Sequence, residues 1–188
     1  YIYETHLHTK GTSACAVTEP EEYIPVYKKI GYSGLIVTDH FFNGNTAITT
    51  DLTWEERVTL YCFAYERAKQ AAEELDFDVF FGFEYNFDGD EYLIYGLEKD
   101  LLSAHPEIME MTHKELFQAV NDANGLMIQA HPYRKRAYIK QINLHPECVH
   151  GIEVYNAGNQ LEENAKAVLL AKEKQLSMTS GSDMHDIN

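Results

Sequence analysis

The chain has 188 residues, of which 45% are hydrophobic: enough to bury a core and form one domain, and too ordered a composition for a disordered tail. Its 30 acidic against 15 basic residues leave a formal charge of -15, which repels nucleic-acid phosphates and acidic membranes, so a polymeric nucleic acid is not an expected partner. The apolar runs are only a few residues long against the roughly 20 of a membrane span, and no membrane association is expected.

Short β-prone runs alternate with helical patterns along the chain. Strands are expected at Tyr1 to His8, Gly34 to His40, Asp78 to Glu84, Glu91 to Gly96, Gly125 to His131, Gly151 to Tyr155 and Ser177 to Asp183. A helix is expected over Glu19 to Ile30, with Thr18 as cap, Pro20 in its first turn and Gly31 as its stop. Thr53 followed by Glu56 has the spacing of a capping box and opens a helix over Thr53 to Leu75. Within it Tyr61, Phe63 and Tyr65 are expected to pack into the core. Further helices are expected over His113 to Asn124 and Leu161 to Lys174. Strand and helix in alternation predict an α/β domain with a largely parallel sheet, open or closed into a barrel.

Cys15, Cys62 and Cys148 are an odd number at no metal-like spacing, which fits a reducing cytoplasm. The opening residues Tyr1 to His6 carry neither the basic nor the apolar region of a signal peptide.

The polar residues fall where α/β folds build their sites. His6 and His8 are two apart on an expected strand, so both imidazoles leave one face. Asp183 and His185 repeat that spacing. His40, Glu84 and His131 each close an apolar run. Five strand ends carrying imidazoles and carboxylates would be costly to desolvate without divalent cations between them. Glu4 and Glu153 are candidate acceptors for the second N–H of a ligating histidine, and Gln129 shares a face with His131. His105, His113, His145 and His150 fall in loops or at helix starts and are expected to be ordinary surface residues.

The motifs Thr5-His6-Leu7-His8-Thr9, Val37-Thr38-Asp39-His40, Gly82-Phe83-Glu84, Ala130-His131-Pro132 and Gly181-Ser182-Asp183-Met184-His185 run from end to end of the chain. Their order and spacing resemble the PHP (polymerase and histidinol phosphatase) family of metal-dependent phosphoesterases. The resemblance implies one domain over residues 1–188, a distorted (β/α)7 TIM-like barrel, and two or three divalent ions, commonly Zn, Mn or Fe. It implies that His6, His8, Glu84 and Asp183 hold one metal, that Glu84 bridges to a second held with His131, and that His40 and His185 hold a third. The sequence departs from the family in two places. The stretch Lys10 to Cys15, where a further Asp or His is common, has neither; Cys15 is its one thiol. Asp90 and Glu91 stand near the position where many members place a histidine on the strand after the bridging Glu.

A water ionised between two such cations would attack phosphorus in line, with no Ser or Cys nucleophile. The expected activity is hydrolysis of a small phosphorylated substrate, a phosphomonoester first. Arg134 and Arg136, two of the four arginines, flank Lys135 just after His131 and offer planar forks for phosphate oxygens. Lys10 is a further substrate-binding candidate, and Asp39 is a candidate to orient His40 or to protonate the leaving oxygen. Two alternatives remain: the same centre attacking an amide or lactone, and a metal-loaded regulatory domain with little activity.

Overall fold

The computed structural model describes residues 1–137 and 139–188. Seven strands hydrogen-bond in chain order into one sheet: β1 (Tyr3–Glu4), β2 (Gly34–Val37), β3 (Asp78–Phe87), β4 (Asp90–Tyr95), β5 (Leu126–Gln129), β6 (Gly151–Asn156) and β7 (Ser177–Gly181). Past the ends of β1 and β7 the chain pairs again. Leu7 bridges Met184, Asp183 N–H donates to the His6 carbonyl at 2.8 Å, and His8 N–H donates to the Met184 carbonyl at 2.8 Å. These contacts nearly close the sheet, and the single α/β domain is a distorted TIM-like barrel.

One strand runs backwards. β4 is antiparallel to both β3 and β5, whereas all other neighbours are parallel. Asp88 and Gly89 alone join β3 to β4, both with positive φ (51° and 110°), the turn geometry that matches strand twist. A parallel return needs a crossover of about a dozen residues, so two residues force the reversal. The hairpin also extends β3 past its expected end, leaving Glu84 inside the strand. β1 is correspondingly shorter than expected. His6 and His8 follow it on extended chain, where the Thr38 hydroxyl accepts from Leu7 N–H and donates to the Leu7 carbonyl, each at 3.0 Å.

The described residues form helices α1 (Tyr23–Lys29), α2 (Trp54–Ala72), α3 (Lys99–Ala104), α4 (His113–Asp122) and α5 (Leu161–Lys174). The capping boxes Thr53/Glu56 and Thr112/Glu115 open α2 and α4. Thr18 does not cap the first helical segment: Glu19 and Glu22 reciprocate there across a 3-10 turn, Pro20–Glu22. The Thr18 hydroxyl instead accepts from Ile187 N–H at 2.9 Å.

Helices and sheet meet in two apolar clusters. One is aromatic, with Phe41 stacked on Phe83 at 4.6 Å and edge-on to Tyr61 at 5.4 Å. The other gathers Leu7, Tyr23, Ile24, Leu35, Val37 and Ala68. Each such large apolar side chain contributes about 1.5–3 kcal/mol by leaving water. Phe63, expected in the core, lies on the outer face of α2 and is 56% exposed. No helix of the described residues is long and apolar enough to cross a membrane.

Candidate metal centre

The closure seam, the middle of β3 and the ends of β2 and β5 all open on one rim. His6 and His8 come from the chain after β1, His40 from the chain after β2, Glu84 from β3, His131 from the end of β5, and Asp183 and His185 from the chain after β7. His131 (φ 26°) and Asp183 (φ 56°) both hold left-handed backbone. That is uncommon for side chains with a Cβ and recurs at functional sites. Here it turns both residues inward just as their strands end.

All seven residues converge. Nε2 of His6 lies 3.2 Å from Nε2 of His8, 3.3 Å from Glu84 Oε1 and 3.5 Å from Asp183 Oδ1. His8 Nε2 is 3.1 Å from Asp183 Oδ1 and 3.6 Å from Glu84 Oε2. Glu84 stands at the middle, with His131 Nε2 3.0 Å from one oxygen and His40 Nδ1 2.8 Å from the other. The His185 ring stacks on His8 at 4.2 Å, and its Nδ1–H donates to the Asp183 carbonyl at 2.8 Å. That bond leaves Nε2 of His185 as its free ligand atom.

Burial and neighbouring charge oppose one another across the cluster. Burial favours neutral imidazole, but Glu153, Asp183 and Glu84 outweigh it at His6 and hold that ring well above the ordinary histidine range. At His40 Glu84 likewise overcomes burial and raises the ring to about 11. His8, equally buried and beside two charged rings, is driven down to about 3. Glu84 and Asp183, held down by these rings against their burial, stay ionised. Protons on His6 and His40 therefore carry positive charge that divalent ions would otherwise supply. Glu84 Oε2 and His40 Nδ1 are buried without a well-formed hydrogen bond among the described residues. The donor set of imidazoles and carboxylates is the one Zn, Mn and Fe take, and the residues fit such ions.

A surrounding layer fixes these rings. Glu153 Oε1 accepts from His6 Nδ1–H at 2.9 Å, so Nε2 of His6 faces the centre unprotonated when an ion is bound. The other oxygen of Glu153 accepts from His131 N–H at 2.9 Å and from the Asn156 amide at 3.0 Å. Glu4 receives no imidazole: it accepts from His6 N–H and Ser182 N–H, each at 2.9 Å, and from the Tyr27 hydroxyl. Gln129 turns away and donates to the Asn143 carbonyl.

Ser13 is a hub that the sequence did not flag. Its hydroxyl accepts from His8 Nδ1–H at 3.2 Å and His40 N–H at 3.0 Å and donates to Asp39 at 2.6 Å. Asp39 accepts further bonds from Thr9 N–H and the Thr9 hydroxyl, at 2.6 and 2.5 Å. Burial raises Asp39 to about 6. Its carboxylate is consumed in holding the loop after β1, acts on His8 through Ser13, and does not line the cavity over the centre.

That cavity holds about 510 Å³ and is lined by His40, Glu84, Glu91, His131, Arg134, Asp183 and His185, together with Asn43, Asn86 and Cys15. Glu91 points in, 3.5 Å from His131 Nε2, and its neighbour Asp90 points out, as alternation along β4 requires. Arg134 is 9% exposed; its Nη2 reaches Asp183 and Asn156, each at 2.6 Å, and its Nε reaches Asn159 at 2.9 Å. Arg136 and Lys10 are not brought to the cavity. Arg136 donates to the Lys135 and Gly158 carbonyls, and Lys10 pairs with Glu19 at 2.7 Å. The Cys15 thiol faces His40 and His185; burial alone would raise it, but hydrogen bonds with those rings bring it down to about 6.

No family profile matches the sequence, and no curated protein matches it. Solved structures do match in fold. A protein of Bifidobacterium adolescentis assigned as a metal-dependent phosphoesterase superposes with a TM-score of 0.68 at 16% identity, over 98% of this chain and 87% of its own. A two-domain protein of Bacteroides vulgatus, containing a predicted PHP-like metal-dependent phosphoesterase, gives a TM-score of 0.73 at 19% identity, over 97% of this chain and 51% of its own. An amidohydrolase of Chromobacterium violaceum, with bound sulfate and no metal, gives a TM-score of 0.66 at 15% identity, over 98% of this chain and 88% of its own. The chain thus has the fold of PHP-like proteins, the class its sequence motifs resemble.

Proposed function

We propose that the chain is a metal-dependent hydrolase of the PHP type, acting on the phosphoester of a small molecule. The observation that carries this reading is the place of Glu84: one carboxylate oxygen meets His6 and His131 and the other meets His8 and His40. A carboxylate placed in this way would be able to offer one oxygen to each of two cations. His6, His8 and Asp183 would complete one ion's ligands, His131 and Glu91 those of a second, and His40 and His185 those of a third. When bound, Zn, Mn or Fe would polarise a phosphoryl oxygen and acidify a water molecule.

The chain's own groups do the rest. Glu153, and Asp39 through Ser13, hold His6 and His8 in the tautomer that presents Nε2. Arg134 holds one Asp183 oxygen with Nη2, is fixed by Asn156 and Asn159, and lines the cavity wall with its positive charge. A cavity of about 510 Å³ suits a small molecule.

The test is metal analysis of purified protein, then turnover of phosphomonoesters, phosphodiesters and cyclic amides after reloading with Mn or Zn. Phosphomonoester turnover that disappears in Glu84→Gln is expected. Full metal occupancy with no phosphoester turnover would overturn the reading. Turnover of cyclic amides alone would replace it with the amide chemistry that the amidohydrolase neighbour represents.

A further inference from the structure

His113 and His145, expected to be ordinary surface residues, meet outside the cavity. His113 opens α4 and His145 lies late in the connection from β5 to β6, yet their rings stack with centroids 4.0 Å apart. Both Nε2 atoms stand 3.9 Å from Oδ2 of Asp90, the first residue of β4, which is 7% exposed. One ligand atom from each of the three lies within 4.8 Å of the others. Nε2 of His113 is buried without a hydrogen-bond partner among the described residues, a situation unfavourable for a polar atom taken out of water. The Asn143 amide holds the other Asp90 oxygen at 3.3 Å, which leaves Oδ2 toward the two rings.

We propose that Asp90, His113 and His145 form a second site, separate from the first, for a divalent cation of the zinc class. Two imidazoles and one carboxylate are zinc ligands, with water as the fourth. A tetrahedral ion about 2 Å from each donor spaces the donors roughly 3.3 Å apart, so each gap to Asp90 closes by only about half an ångström.

The position gives the ion a structural task. Between β5 and β6 the one regular piece among the described residues is the 3-10 turn Pro146–Cys148. Connections beyond about 12–15 residues without structure are uncommon in compact domains unless tied down. An ion here fastens that connection to β4 and α4 at once, and its binding energy is delivered as folding energy.

The test is zinc binding to the whole chain, by calorimetry and metal analysis, in the parent and in His113→Asn, His145→Gln and Asp90→Asn. Each variant is expected to bind one zinc fewer than the parent. Undiminished stoichiometry in all three overturns the proposal. Anomalous diffraction at the zinc edge from zinc-soaked parent crystals tests it without any substitution. A peak about 2 Å from the three donors is expected; zinc in the main cavity with none at Asp90 overturns it.

Discussion

Glu153 does not line the cavity, yet it holds two residues of the cluster beneath it, accepting from the His6 ring and from the His131 backbone. Glu153→Gln keeps the volume but replaces a charged acceptor with an amide, and metal affinity should fall about 10–100-fold by competition with a chromophoric chelator. Behind it, a Cβ on Gly181 would stand 2.4 Å from His6 Cβ and 2.8 Å from Glu153 Oε1. Gly181→Ala should therefore reduce metal occupancy while leaving the far-UV spectrum intact. Arg134→Ala should lower kcat/KM on a phosphomonoester at least about tenfold, with Arg134→Lys recovering only part, because a point charge cannot reproduce the fork. Arg136→Ala and Lys10→Ala should leave kinetics unchanged. The sequence could bring His6, His8, His40, Glu84, His131, Asp183 and His185 to one rim because strand period and strand ends fix where such side chains go. It could not separate Arg134 from Arg136, since loop residues follow no period and their partners, Asn156 and the Gly158 carbonyl, lie on another strand and its following turn. The link from Asp39 to His8 and to the His40 backbone runs through Ser13, 26 positions from Asp39, and no local pattern marks it.

At the scale of elements, the β3–β4 hairpin sets which residues face the centre. Its register pairs Glu84 with Leu93 and Asn86 with Glu91. A slip by one residue would turn Glu91 outward and Asp90 inward. Gly89 holds φ 110° with open space around it, so Gly89→Ala strains the backbone without a clash. Urea unfolding should show a loss of about 1–2 kcal/mol. The alternating strands and the helices α2 and α4 were legible because Thr53 and Thr112 mark where those helices begin. The reversal of β4 is absent from the strand-and-helix reading, although Asp88-Gly89 is the local hairpin signal that marks it. Helix α3 is too short to show a period.

Across the whole molecule, a charge of -15 and a centre crowded with carboxylates both favour bound cations. Ions that bind only the folded chain stabilise it in proportion to the logarithm of their concentration over Kd. Stripping with EDTA should lower Tm at pH 7, and readdition of Zn or Mn should restore it. Because imidazoles must be neutral to ligate, protons compete with the ions as pH falls. The gap in Tm between loaded and stripped protein should therefore narrow from pH 7 to pH 5; a gap that widens would contradict a histidine-held centre.

The seam between β1 and β7 has its own consequence for how the molecule assembles. The backbone bonds that shut it run between His6, His8, Asp183 and Met184, the same stretches that would supply ligands in the proposed centre. Bringing them together carries the largest loop-closure cost in the chain, so this join is the natural last step of folding and the first to fray. A cation spanning it acts as a clasp. Amide exchange at His8 and Asp183 should report whether the clasp is shut, long before the rest of the barrel loosens.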